Sequence, residues 1–175
     1  MQAAFANADT VVRLLTYIAE DVSRQFDRWE DPYIRGPSLY FVLASGVRFD
    51  SFADPLGNNR WPIDDVRILT RDLTSAVQAA HDIAFECDGA VVLTADGTFQ
   101  EQMVRIRTPN DPELTALEYP DWMSAKHLSA LEVSGRQEIL GVVTLSEEDG
   151  RVTTFRDGGF TDHQRDEIGG RWRTA

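Results

Sequence analysis

Apolar side chains recur at helical spacing in the first part of the chain. Between Val11 and Trp29 they return every three or four positions, and charged side chains occupy the positions between them. This pattern predicts an amphipathic N-terminal helix that Pro32 ends. A second helical pattern begins after Asp72, a residue type that caps helices, and runs to Cys87.

Short apolar runs predict the strands. The run at the centre of the chain is the clearest, because Asp96-Gly97, a dipeptide typical of hairpin turns, divides it into two. A further turn at Glu148-Asp149-Gly150 separates the last two runs. The predicted strands are residues 39–44, 66–69, 90–93, 99–106, 140–145 and 152–155.

Proline, glycine and acidic residues mark the predicted loops. Residues 54–59 contain Asp-Pro and Gly-Asn-Asn, and residues 108–121 hold three prolines, so both segments predict loops. Asp121 is expected to cap a helix that continues to about Arg136. Beyond Gly158 the chain is rich in Gly, Asp and Arg, and we expect frayed structure or a short terminal helix.

Helices and strands thus alternate early and hairpins follow late, an order that predicts an α/β (α+β mixed) fold. We expect a central mixed β-sheet flanked by helices, with the amphipathic helix at the N-terminus. The 175 residues are enough for one sizeable core. The expected division is an N-terminal helix and linker (1–35), one main domain (36–160) and a tail (161–175).

The charge balance narrows the classes of function. Acidic residues outnumber basic ones by 29 to 17, and the resulting net charge of −12 disfavours binding to a nucleic acid polymer. No apolar run approaches the roughly 20 residues that cross a membrane. The start of the chain also lacks the basic and apolar parts of a secretory signal. We therefore expect a cytoplasmic protein with no membrane partner.

Lysine is nearly absent from this sequence, because Lys126 is the only one among the 17 basic residues. An acidic excess with so little lysine resembles proteins of salt-loving archaea, whose carboxylates keep a hydrated surface in concentrated salt. The composition therefore suggests a halophilic archaeon. A GC-rich genome, which favours arginine codons, is the alternative explanation.

Candidate chemistry lies at the ends of predicted elements, where α/β folds place ligands. Asp88 precedes an apolar strand, and Gly89 beside it allows close backbone approach, so this carboxylate is a candidate ligand for a divalent cation on phosphate. Glu147-Glu148 follow another strand. Alone, an Asp-Gly pair is more often an ordinary turn.

The third candidate, His127, lies in the first turns of a predicted helix. Free backbone amides of Ser124 and Ala125 at this helix N-terminus would attract an anion such as phosphate, and Lys126 adds a positive charge. Without further context, a single histidine is more often a surface or core residue than a ligand.

In their order and surroundings these residues resemble the diadenylate cyclase (DisA-N) family. Residues 88–92 are similar to its Asp-Gly-Ala motif, and residues 124–134 to its Gly-Thr-Arg-His-Arg-Ala-Ala-Leu-Gly-Ile-Ser motif. Residues 142–152 resemble its Val-Val-Ser-Glu-Glu-Thr-Gly-x-Ile strand and turn, and 39–44 fits its first core strand. The resemblance covers roughly residues 36–158.

The resemblance implies a DAC-domain-like fold in which two domains meet face to face, each with one ATP. It implies a nucleotidyltransferase that makes the second messenger cyclic di-AMP with Mg²⁺ or Mn²⁺, as a homodimer or higher homo-oligomer. It assigns catalysis to Asp88, His127 and Glu148, and metal binding to Asp88 and His127. The implied nucleotide-binding residues are Gly89, Ala90, Ser124, Ala125, Lys126, Ser146 and Glu147.

The histidine motif departs from the family on both sides. Ser124-Ala125 replace Gly-Thr, Lys126 replaces the first Arg, and Leu128 replaces the second. Lysine keeps the charge but lacks the bidentate fork. An arginine from elsewhere, such as Arg105 or Arg107, is a candidate replacement. The alternatives to an active cyclase are a silent relative that binds ATP or cyclic di-AMP as a sensor or regulatory partner, and motifs retained only as core and turn residues.

Overall fold

The computed structural model describes residues 7–169 of the chain. Within this range, none of the helices is long and apolar enough to cross a membrane. In chain order, the elements are α1 (Ala8–Gln25), β1 (Leu39–Ala44), β2 (Ala53–Arg60), α2 (Leu73–Glu86), β3 (Val91–Thr94), β4 (Gln102–Ile106), α3 (Pro112–Thr115), α4 (Ala125–Ser134), β5 (Ile139–Leu145), β6 (Val152–Arg156) and β7 (Gly159–His163).

Five strands form a mixed central sheet in the order β3-β1-β5-β6-β7. β1 is parallel to β3, and the remaining neighbours are antiparallel. Parallel pairing needs a crossover connection, and the chain between β1 and β3 includes helix α2. The expected mixed sheet flanked by helices is confirmed.

The fully buried run of β1 is explained by helices on both faces of the sheet. Phe41 and Leu43 point into a core formed with α1 and α2. Tyr40 and Val42 point into a second core, which α4 covers. Successive side chains of a strand face opposite sides, so a central strand between two cores is apolar at every position.

The prediction of a loop at residues 54–59 is wrong, because these residues belong to β2. This strand pairs antiparallel with β4 in a separate two-stranded sheet, with Pro55 opposite Val104. Proline is tolerated there because an edge strand does not need every N–H for its ladder. The predicted hairpin forms its turn at Asp96-Gly97, but isolated bridges, Ala90–Val104 and Leu93–Phe99, join its two arms in place of a strand ladder. Residues 66–69 form no strand, and Ile68 makes only an isolated bridge.

The N-terminal helix is shorter than its apolar spacing predicts. It ends at Gln25, and Phe26 has an extended backbone with φ −83° and ψ 123°. The Phe26 and Trp29 rings then pack edge to face, with centroids 4.9 Å apart. Phe26 and Trp29 have helical spacing because their rings pack on each other after the helix ends, and not because the helix continues.

Two predicted boundaries around α4 also change. Residues 108–121 include the one-turn helix α3, which Asp111 caps by accepting a hydrogen bond from Glu113 N. Helix α4 begins after Ser124, three residues later than a cap at Asp121 predicts, and ends before Arg136.

The segment beyond Gly158 forms a strand, so the expectation of frayed or helical structure from that point is wrong. β7 pairs with β6 through the two-residue turn Asp157-Gly158. Both turn residues have positive φ, 51° and 72°, as a type I′ hairpin turn requires. Of the predicted tail, residues 170–175 lie outside the described residues.

Candidate functional site

Three predicted motifs meet at one end of the central sheet. Antiparallel pairing of β1 and β5 places Leu39, where β1 begins, opposite Leu145, where β5 ends. β3 runs parallel to β1, so Asp88 comes just before the start of β3 at the same end. The elements thus bring the Asp-Gly-Ala segment close to the turn that follows β5.

Lys126, in the first turn of α4, lies among these segments. Its Nζ donates to Ser38 Oγ, just before β1, and to the carbonyl of Leu145 at 3.2 Å. Burial lowers the pKa of the Lys126 ammonium, and the charges of Glu147, Asp88 and Glu148 act in the opposite direction. Those three carboxylates belong to two different predicted motifs, so Lys126 is the point at which all three motifs come together.

Asp88 presents an exposed carboxylate at the start of this site. Its Oδ1 accepts a hydrogen bond from Gly89 N at 2.8 Å, and its carbonyl accepts one from Asn59 Nδ2 at 2.6 Å. Gly89 has φ +106°, a backbone conformation that favours glycine, and an added Cβ would lie 3.1 Å from the Val104 carbonyl oxygen. Ala90 is buried behind it.

The turn after β5 is closed by Ser146. Its backbone N–H donates to Arg151 O at 2.9 Å, and its Oγ accepts from Glu148 N at 3.3 Å. The hydroxyl predicted to line a phosphate site therefore also holds the turn. Glu148 is exposed and Glu147 half-buried, so both predicted carboxylates are positioned by this turn at the surface.

His127 has a different environment from the carboxylates. Its ring is only 3% exposed and lies edge to face with Trp122, with centroids 5.1 Å apart. Nδ1 accepts a hydrogen bond from Ser124 N at 3.2 Å, and Ser124 Oγ lies 2.9 Å from the same nitrogen. The histidine therefore completes a capping box at the start of α4.

This environment keeps the His127 ring neutral. Burial lowers its pKa to about 4, and the nearby Lys126 charge acts in the same direction. Within the described residues, Nε2 is buried without a hydrogen-bond partner. The Ser124 amide, predicted to be free for an anion, donates to this ring, whereas Ala125 remains exposed at the helix N-terminus. A ligand role for His127 stays a prediction.

The candidate arginines for the second motif position differ in how their guanidinium groups are paired. Arg105 and Arg107 both pair with Asp54 in the β2–β4 sheet, at 3.7 and 3.0 Å. Arg151 pairs with Asp149 and Asp162, and its guanidinium lies 4.2 Å from the Trp122 ring centroid. Arg35, by contrast, lies against Glu147 at 3.7 Å with its side chain exposed.

Sequence reasoning did not select Arg35 or Ser38. Both precede a strand that was recognised, but their place in the site depends on which strand lies beside it. Since β5 pairs antiparallel with β1, the segment before β1 lies next to the turn after β5. That pairing is a long-range contact, and no local pattern at Arg35 or Ser38 indicates it.

The described residues do not fit a resident metal ion held by the protein alone. Among residues 7–169, no group of three or more His, Cys, Asp or Glu side chains is placed to hold a metal. Asp88 offers one exposed carboxylate. Of the two His127 ring nitrogens, Nδ1 is used in the capping box and Nε2 is buried without a partner among the described residues. A divalent cation at Asp88 would need further ligands, such as phosphate oxygens of a bound nucleotide.

Lys126 and the carboxylates of Asp88, Glu147 and Glu148 are called the Lys126 cluster below. Three open grooves in the described residues are lined by residues outside this cluster. They have volumes of about 460, 470 and 630 Å³ and are lined by residues around 45–47 and 94–96, 47–55 and 100–104, and 154–161.

The fold resembles solved structures at low sequence identity. A double cysteine mutant of DacA from Staphylococcus aureus is 11% identical with a TM-score of 0.56, and the match covers 92% of this chain and 91% of that one. A hypothetical membrane spanning protein from Bacillus cereus is 12% identical with a TM-score of 0.57, and the match covers 86% of this chain. This chain spans 61% of the length of the Bacillus cereus chain.

A search of family models and a search of curated proteins each find no match to the sequence. The structural likeness at these identities concerns the fold. It confirms the expected DAC-domain-like architecture of a mixed sheet flanked by helices. Activity, substrate and metal are therefore proposals that depend on the site.

Proposed function

We propose that this protein binds ATP at the Lys126 cluster and condenses two ATP molecules into cyclic di-AMP and two pyrophosphates. The observation that supports this is the meeting of Asp88, Lys126 and Glu147-Glu148 at one end of the sheet. Core packing alone explains an apolar strand, but it does not require three carboxylates around the chain's single lysine.

The proposed reaction takes place between two copies of the chain. In each half-reaction, the 3′-oxygen of one ATP forms a bond to the α-phosphorus of the other, and the bond from that phosphorus to the bridging oxygen breaks. Pyrophosphate leaves, and the hydroxyl proton passes to a carboxylate, which we assign to Asp88. The symmetry-related attack closes the ring.

The residues of the cluster would contribute mainly by positioning and by charge. Lys126 and the N-terminus of α4 at the exposed Ala125 would face the phosphates. Glu148 and Asp88 would meet the Mg²⁺ or Mn²⁺ that ATP carries as its complex, with phosphate oxygens supplying the other ligands.

A second candidate function is nucleotide binding without turnover, as a sensor or regulatory partner. The capping-box position of His127 favours it, because that ring is engaged in holding α4. Leu128 in place of a second arginine also favours it, since one clamp arginine is worth about 10²-fold or more in rate. Nucleotide binding is common to both candidates.

The two candidates are separated by one assay. Purified protein is incubated with ATP and Mn²⁺ in concentrated salt, and cyclic di-AMP is sought by mass spectrometry. We expect product from the wild type, at least a 10²-fold loss in Asp88→Asn, and full activity in Asp64→Asn, which changes an exposed acid elsewhere. Stabilisation by ATP without product would establish the binding protein, and neither effect would reject both candidates.

A further inference from the structure

The loop that leads into β1 carries Arg35 to the edge of the Lys126 cluster. Arg35 Nη1 lies 3.7 Å from Glu147 Oε1, and the Arg35 side chain is 87% exposed. Ser38, three residues later, accepts the hydrogen bond from Lys126 Nζ. The loop therefore passes directly beside the proposed nucleotide site.

The backbone of this loop is fixed although the guanidinium is not. Gly36 N donates to Glu147 O at 3.0 Å. A Cβ at Gly36 would lie 2.2 Å from the Trp29 ring and 2.9 Å from the Glu147 carbonyl, so only glycine allows this approach. The ion pair of Arg35, in contrast, is long and exposed, and such pairs contribute little to stability. The Arg35 guanidinium, weakly paired on a fixed backbone, is therefore available to a ligand that arrives from solvent.

When a nucleotide binds at the cluster, its phosphates add negative charge next to three carboxylates, and a further cation would reduce the repulsion. Asp88, Glu147 and Glu148 bring three negative charges, and the Lys126 ammonium already donates to two protein oxygens. The phosphates of ATP add more negative charge. An arginine fork that contacts two phosphate oxygens is the usual way to stabilise them.

The other arginines considered for this place are held elsewhere. Arg105 and Arg107 pair with Asp54 in the second sheet. Arg151 is largely buried, and it pairs with two carboxylates while lying over Trp122. Arg35 has one weak partner, and that partner belongs to the cluster itself.

We propose that Arg35 binds the phosphate groups of the nucleotide, exchanging its contact with Glu147 for phosphate oxygens. This inference rests on the proposed function and adds a binding residue that the sequence motifs do not contain. Arg35 would stand in for the missing second arginine of the histidine motif, reaching the site from the loop before β1 and not from α4.

The test compares ATP affinity by isothermal titration calorimetry at one fixed salt concentration. Arg35→Ala is expected to weaken ATP binding about tenfold or more, and Arg35→Lys less, because the charge remains without the fork. Arg105→Ala is the matched control, since its side chain is 72% exposed and pairs with Asp54 at the same 3.7 Å distance. It should bind ATP as the wild type does, and the unfolding midpoints of all variants should stay close together.

Adenosine separates a phosphate contact from a general distortion of the site. Its binding should be the same in wild type and Arg35→Ala. Equal ATP affinity in those two proteins, or an equal loss for ATP and adenosine, would overturn the role of Arg35 while the proposed function stands. A wild type that does not bind ATP would reject the proposed function, and the inference with it.

Discussion

At the scale of single residues, His127 shows how a motif position can be occupied for a structural reason. The family resemblance implies that His127 takes part in catalysis and binds metal. In the structure its Nδ1 accepts from Ser124 N, which is the bond that Glu or Gln makes in a common capping box. The Ser-x-x-His spacing is therefore explained by helix capping, whatever ligand binds nearby.

The neutral state of His127 makes the stability of the protein depend on pH. The pKa of His127 is about 4 in the folded chain, below its ordinary value of 6.5. As the pH falls, the histidine of the unfolded chain therefore takes up its proton first. The free energy of unfolding is therefore unaffected by this proton above about pH 6.5 and falls as the pH approaches 4. The full loss amounts to about 3 kcal/mol.

We expect His127→Gln to reduce this pH dependence. Glutamine keeps a capping-box acceptor but does not titrate. Urea unfolding, followed by tryptophan fluorescence at about pH 7.5 and about pH 4.5, should show a smaller loss of stability in the variant than in the wild type. Carboxylates titrate in both proteins, so the difference between them isolates the histidine, and equal losses would refute its burial as a neutral base.

At the scale of elements, local chemistry predicted some features well. β1 was predicted with its observed bounds, because a six-residue apolar run flanked by Pro37 and Ser45 has few alternatives. Asp72 caps α2 as expected, since its side chain accepts from Ser75 N. Both depend on neighbours in sequence.

The missed strands depend on distant partners. β2 contains Pro55 and Gly57, and it is a strand because β4 pairs with it. β7 is largely exposed and polar, yet its turn, Asp157-Gly158, is the same dipeptide that was recognised at Asp96-Gly97. The same holds for the site. Its motifs are visible in short stretches of sequence, whereas Arg35, Ser38 and Asn59 contact motif residues only because the chain folds.

The Asp157-Gly158 turn provides a test at this scale. Gly158 has φ +72°, so Gly158→Ala should destabilise the protein by about 1 kcal/mol because of backbone strain. Gly46→Ala is the matched control, since its φ is not in the left-handed range and a Cβ there meets no atom within 4 Å. Denaturant melts should show a loss only in Gly158→Ala; equal stability of the two variants would contradict the assigned turn.

At the scale of the whole molecule, the net charge of −12 sets the response to salt. Like charges on a compact surface repel each other, and the repulsion opposes the folded state. At about 1 M salt the screening length falls to about 3 Å, so most of this repulsion disappears. An acidic composition has this physical consequence whatever the organism is.

We therefore expect the unfolding temperature to rise between about 0.1 M and about 1 M KCl, as measured by differential scanning calorimetry. A variant with Asp27→Asn, Asp64→Asn and Glu118→Gln removes three exposed negative charges and brings the net charge to −9. The unfolding temperature of this variant should rise less over the same range of KCl concentration, because less repulsion remains to be screened. Salt effects on apolar burial act on both proteins alike, so the difference between the two curves reports the charge term. Parallel curves would show that repulsion among these carboxylates does not limit stability, and the arginine-rich composition would then reflect codon usage.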